Sequence, residues 1–266
     1  MKRFLTAVGA FVAFVFLMWT VAVPSDYIEG KIKGLFEGAP FAVGFDGFEK
    51  GLFFTIKARK LHIRARGGHP EPPLLASLED IKAGPDLSGL LSLRPGVYFN
   101  AVFSGGRVTG SYDISDRTGV LKGKGIGIEG MDLLKRAGLN GSGMLSLSVD
   151  LKDDKASVRF SVEGAGFKGM VRQGVYIPLN MFKSVKGAVE VSDGLVAVHS
   201  ISLEGNGIYA RITGKVMGGQ ADIKLELNAD ASTDTGRLLR AGLERYKKAP
   251  GVYVIPFSGP VLPDAG

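Results

Sequence analysis

From Met144 to Glu163 the chain reads MLSLSVDLKDDKASVRFSVE, and its apolar side chains fall at every second position. Leu145, Leu147, Val149 and Leu151 share one face, and Ala156, Val158, Phe160 and Val162 continue the alternation after Lys152-Asp153-Asp154-Lys155. A period of two puts one set of side chains on each side of an extended chain, so this text specifies two strands, each with one oily and one wet face. The short polar break between them predicts an antiparallel hairpin.

The same rhythm recurs along the chain. Ile56 and Ala58 alternate with Lys57 and Arg59, and Leu61, Ile63 and Ala65 alternate with His62, Arg64 and Arg66. The phase slips between Ala58 and Leu61, which predicts a β-bulge near Lys60. Strand pairs are expected at Tyr98 to Phe103 with Arg107 to Ile114, at Ala188 to Val191 with Leu195 to Leu203, and at Gly207 to Val216 with Ala221 to Leu227. Glycine, at 39 of 266 residues, is roughly twice its usual share of about 7%, without a G-X-Y period. The expected fold is therefore mainly β: a curved antiparallel sheet, partly open or groove-like.

A few short amphipathic helices interrupt it. Ile28, Ile32, Leu35 and Phe36 lie on one helical face after Ser25 and Asp26, either of which is a candidate cap. Two further helices are expected over about Met131 to Leu139 and Thr235 to Lys248; their strings LLKRAGL and LLRAGL suggest a duplicated helix-then-hairpin unit.

At the other end of the chain, Phe4 to Val23 is uncharged and apolar, preceded by Lys2 and Arg3 and followed by Pro24. Twenty helical residues span about 30 Å, the thickness of a bilayer core. The stretch exceeds the roughly 7–15 apolar residues of a cleavable signal, and Trp19 sits where an interfacial ring would. The expectation is one N-terminal transmembrane helix with a cytoplasmic N-terminus. It divides the chain into an anchor at 1–23, a juxtamembrane amphipathic helix and linker at 24–50, and a periplasmic β-rich domain at 51–266.

The formal charge of +7 admits nucleic acid, an anionic surface or an acidic protein as partner; the expected topology favours the inner membrane and excludes nucleic acid. Lys57, Arg59, Arg64 and Arg66 are the candidates for contact with an anionic surface. There is no cysteine, so thiolate chemistry and disulfides are absent. His62, His69 and His199 stand at no ligand spacing and read as structural or surface residues. The serines lack a nucleophile elbow, and the adjacent carboxylates Glu79-Asp80 and Asp153-Asp154 diverge on a strand. The glycines of Gly123 to Gly130 match no phosphate loop. No catalytic residue, cofactor or metal is expected, and the protein reads as a non-enzyme.

An apolar sheet face costs about 25 cal/mol per Å² to leave in water, so it must close on itself, meet a second layer or hold something greasy. Leu145, Leu147, Val149, Val158, Phe160 and Val162 are the candidate lining of such a groove.

The glycine-punctuated hairpins, the text VEVSDGLVAVHSISLEGNGIYARITGKV from Val189 to Val216 and the end piece YVIPFSGPVLPDAG from Tyr253 to Gly266 resemble the GspN family, the N component of some type II secretion systems. The segment from Val189 to Val216 also resembles strands of the wider AsmA-like group of envelope proteins. The resemblance implies an inner-membrane-anchored periplasmic accessory or structural subunit, with other secretion subunits as partners. The alternative it implies is a lipid-binding or lipid-transfer module of the bacterial envelope that holds phospholipid acyl chains. It brings no catalytic residues.

Overall fold

The computed structural model describes residues 14–66, 72–86, 89, 94–136, 138–172, 175–230 and 243–260. The chain is mainly β and antiparallel, and its sheet is curved. It divides into two compact units: the first holds Met1–Phe103 and Thr109–Ser115, the second Ser104–Val108 and Asp116–Gly266.

In the first unit, helix α1 (Ser25–Leu35) precedes β1 (Phe41–Asp46), β2 (Glu49–Lys50), β3 (Ile56–Ala65), β4 (Leu74–Pro85) and β5 (Gly96–Phe103). The order is β1-β3-β4-β5, with β2 also paired to β3. Strand β6 (Gly106–Asp113) is divided between the units. Ala58, Ile81 and Ala101 are buried, and Phe45, Phe48, Leu61 and Leu78 pack on them. Ala58 and Leu61 differ in parity yet share this cluster. The reason lies between them: the β3–β4 ladder has no pair at Arg59 and Asp80, and Asp80 takes φ 50°. The expected phase slip is therefore at Arg59 opposite Asp80, on both strands together, and the register is the same on either side of it.

Helix α1 has Pro24 at its N-cap position and no side-chain cap, so neither Ser25 nor Asp26 plays the expected part. It buries no residue, and Leu35 on its expected apolar face is 81% exposed.

Among the described residues, no helix is long and apolar enough to cross a membrane. This overturns the expected transmembrane helix, and with it the single-pass inner-membrane location, the inner membrane as partner and the inner-membrane-anchored secretion subunit built on them. Residues 1–13 of the expected anchor lie outside the described residues. The part that is described ends in a π-helical turn, Met18–Ala22, whose neighbours are protein groups. The Trp19 Nε1–H donates to Gly51 O at 2.9 Å, Lys50 Nζ donates to the carbonyls of Trp19 and Val23, and the rings of Phe16 and Trp19 stand 5.3 and 5.1 Å from those of Phe53 and Phe54. The exclusion of nucleic acid rested on the same topology and loses its ground.

The second unit opens with β7 (Thr118–Gly127), a 3₁₀ turn at Ile128–Gly130 and the short helix α2 (Asp132–Arg136). Then come β8 (Met144–Lys152), β9 (Lys155–Glu163), the small hairpin β10 (Met170–Arg172) and β11 (Val175–Ile177), a 3₁₀ turn at Leu179–Met181, β12 (Phe182–Ser192), β13 (Leu195–Gly205), β14 (Ile208–Met217) and β15 (Gln220–Ala229). After a 3₁₀ turn at Glu244–Tyr246 the unit ends with β16 (Lys247–Ala249) and β17 (Val252–Pro260). The order is β7-β8-β9-β12-β13-β14-β15-β17-β16.

Two-residue turns with both φ positive close the hairpins β12–β13 (Asp193 50°, Gly194 74°) and β14–β15 (Gly218 57°, Gly219 77°), the geometry that matches strand twist. The helix expected over Met131 to Leu139 is only one turn and a half, ending at Arg136, two residues before Gly138 with its φ of 78°. Of the helix expected at Thr235 to Lys248, most lies outside the described residues; the described end is 3₁₀ and strand.

Candidate functional site

Strand register assembles the site in rows. Leu145, Val162, Val185, Leu203, Ala210, Leu227 and Tyr253 are successive cross-strand partners from β8 to β17, and all seven are buried. The next row, two residues along each strand, runs Leu147, Phe160, Gly187, Ile201, Ile212, Leu225 and Ile255. Each row is the apolar half of a period-two pattern, brought into line because every pair is antiparallel and nearly in step.

Over these rows lies a cavity of about 390 Å³. Its floor is Leu145 and Leu147 of β8, Val158, Phe160 and Val162 of β9, and residues of β12 to β14. Its roof comes from the segments between strands: Ile128, Met131, Leu134 and Leu139 around α2, then Phe167 and Leu179. A second cavity of about 140 Å³ continues toward β17 and shares Leu139, Leu179, Leu203 and Ile212 with the first. None of the side chains named as lining either is polar.

Volume decides how this space is read. Packed cores hold few voids larger than a water molecule, so an apolar space of about 390 Å³ is a pocket rather than a flaw in packing.

Of the six groove residues expected from sequence, Leu145, Leu147, Val158, Phe160 and Val162 line the larger cavity. Val149 pairs with Val158 one row further out and is not among the lining residues. The lining that sequence reasoning missed comes from Ile201, Leu203 and Ile212, which lie in expected strands, from Val185, which lies before the strand expected at Ala188 to Val191, and from the roof, part of which falls in the helix expected over Met131 to Leu139.

Lys57, Arg59, Arg64 and Arg66 are exposed residues of the first unit. Two of them serve backbone carbonyls: Arg64 Nη1 donates to Pro72 O at 3.4 Å, and Arg66 Nη1 donates to Glu37 O. Among the described residues no group of three or more His, Asp or Glu side chains is placed to hold a metal ion. His69 lies outside the described residues. His199 faces Glu190 at 3.3 Å, and His62 lies between Asp46 and Ser77.

Comparison of the chain with protein-family models, with curated proteins and with solved structures gives no match. The resemblance drawn from sequence therefore rests on the residues quoted for it.

Proposed function

We propose that this protein holds a long apolar chain, an alkyl or acyl tail, in the cavity of its second unit, and that it acts there as a binder and not as an enzyme. The observation that carries the reading is the pairing of large volume with a lining of apolar side chains only. Ligand sites normally combine apolar walls with a few placed polar groups that fix orientation. Here no such group lines the space, so what enters is recognised by its oiliness and its width.

The resemblance to the AsmA-like group supports the same reading. The text from Val189 to Val216 forms the end of β12, all of β13 and most of β14, and carries Ile201, Leu203 and Ile212 into the cavity.

The test is displacement of an environment-sensitive apolar dye from the full chain by fatty acids of graded length, alongside mass spectrometry of the protein sprayed from non-denaturing buffer. One saturable site, emptied competitively by the fatty acid, is expected. Dye uptake that never saturates, with no bound small molecule and no displacement, overturns the reading.

A further inference from the structure

Away from the cavity, the outer face of the first unit carries a hydrogen-bonded line across three neighbouring strands. Asp46 ends β1, His62 is central in β3, and Ser77 of β4 is the direct cross-strand partner of His62. The Asp46 Oδ2 stands 2.9 Å from His62 Nε2, and the Ser77 Oγ stands 3.3 Å from His62 Nδ1.

The chemistry of the ends fixes the middle. An ionised carboxylate only accepts hydrogen bonds, so Nε2 carries the proton that Asp46 receives. Nδ1 is then left with its lone pair toward the Ser77 hydroxyl. Asp46 is kept ionised chiefly by the His62 hydrogen bond, which holds its carboxyl below the ordinary value; the charges of Arg59 and Lys60 act in the same direction. His199 supplies a contrast: it faces Glu190 alone, with no hydroxyl hydrogen-bonded to its other ring nitrogen among the described residues.

We propose that Ser77 is a nucleophilic serine, with His62 as its general base and Asp46 as the residue that positions and orients His62, and that it takes an acyl group from activated carboxylic esters. The ring nitrogens exchange the places they hold in the serine-protease arrangement, but the roles are the same: nucleophile, base, orienter. In the forward step Ser77 Oγ forms a bond to the ester carbonyl carbon, and its proton passes to His62 Nδ1. The ester C–O bond then breaks, and the departing alkoxide takes that proton. Water, activated by the same nitrogen, releases the acid and restores Ser77.

Arg64 lies two residues beyond His62 on β3 and so on the same face. It spends one N–H on Pro72 O and has others to offer the developing oxyanion. The line is open to solvent, His62 being only partly covered, so the substrate is one that reaches an exposed sheet face.

The experiment exposes the full-length protein to p-nitrophenyl acetate, and separately to a fluorophosphonate, and follows adducts by intact mass and peptide mapping. The expected result is one adduct, on Ser77, that disappears in Ser77→Ala. Its rate of formation should fall by about tenfold or more in His62→Gln, fall also in Asp46→Asn, and recover in part in Asp46→Glu. Circular dichroism of each variant keeps loss of folding separate from loss of reactivity. Adducts scattered over several serines and lysines, or a Ser77 rate unchanged in folded His62→Gln, overturn the proposal.

Discussion

The ring of Phe160 lies across Gly187, its cross-strand partner, and occupies the space that a side chain at 187 would need. Glycine in a strand interior ordinarily weakens it by exposing backbone; here the aromatic neighbour covers the gap, and the same ring lines the cavity. Gly187→Ala would push a methyl group into that ring. Overpacking of this kind costs about 1–3 kcal/mol, and the ring must turn out of place. The expected outcome is a lower midpoint in urea together with weaker uptake of an apolar dye, whereas a purely local backbone effect would change the first and spare the second.

Gly214 is constrained by backbone instead. It takes φ 143° in β14, and a Cβ there meets the carbonyl oxygen of Asp222 and the Cα of Ile223 on β15. Neither is the movable end of a side chain. Gly214→Ala should therefore destabilise by more than Gly187→Ala, about 3 kcal/mol or above, since strain and clash act together. Unfolding of the two variants side by side in urea checks the order.

Filling the cavity separates binding from stability. Ile201 is half-buried, lines the larger cavity and is the cross-strand partner of Gly187 and Ile212. Ile201→Trp adds a ring to existing space, so its cost stays within the roughly 1–3 kcal/mol of an enlarged core residue. Affinity for a long fatty acid should fall about tenfold or more, while a shorter one loses less, as measured by competition with the same dye.

How much of this was legible follows from where each signal sits. The hairpin from Met144 to Glu163 is written locally, and both its strands and its lining residues are there to be read. Strand β4 is not, because the parity change at Asp80 breaks its alternation in the middle. Gly187 and Ser77 mean something only through Phe160 and His62, partners 27 and 15 residues away whose register no local pattern fixes. The anchor expectation failed differently. A rule of length and hydropathy places Phe16 in a span and Trp19 at its interface, and cannot see that Gly51, Phe53 and Phe54 are waiting for them.

That last contact has its own readout. Trp19 is the single tryptophan, so the emission of the protein reports its surroundings. Phe53 and Phe54 sit at φ 54° and 61°, a conformation that costs each of order 1 kcal/mol or more, and their rings are held against Phe16 and Trp19. In Phe54→Ala the indole loses its aromatic neighbour and gains water, so its emission should move to longer wavelength and iodide should quench it more strongly. An unchanged spectrum would mean that Trp19 does not rest on this turn in solution.

The hydrogen bond between His62 and Asp46 gives stability a pH dependence whose sign is fixed. The Asp46 carboxyl is held below its ordinary value in the folded chain, first by the His62 hydrogen bond and then by the charges of His62, Arg59 and Lys60. Folding therefore favours the ionised form, and this contribution is fully present above the ordinary carboxylate range and is lost as pH falls through the lowered folded value. Both side chains are partly or largely exposed, which keeps the effect small. The comparison is between the parent and Asp46→Asn, which removes the charge at every pH. Thermal midpoints of the two should differ at pH 6 and converge toward pH 2, as the parent's Asp46 takes up its proton; a gap that stays constant over that range would show that the carboxylate contributes nothing through its charge.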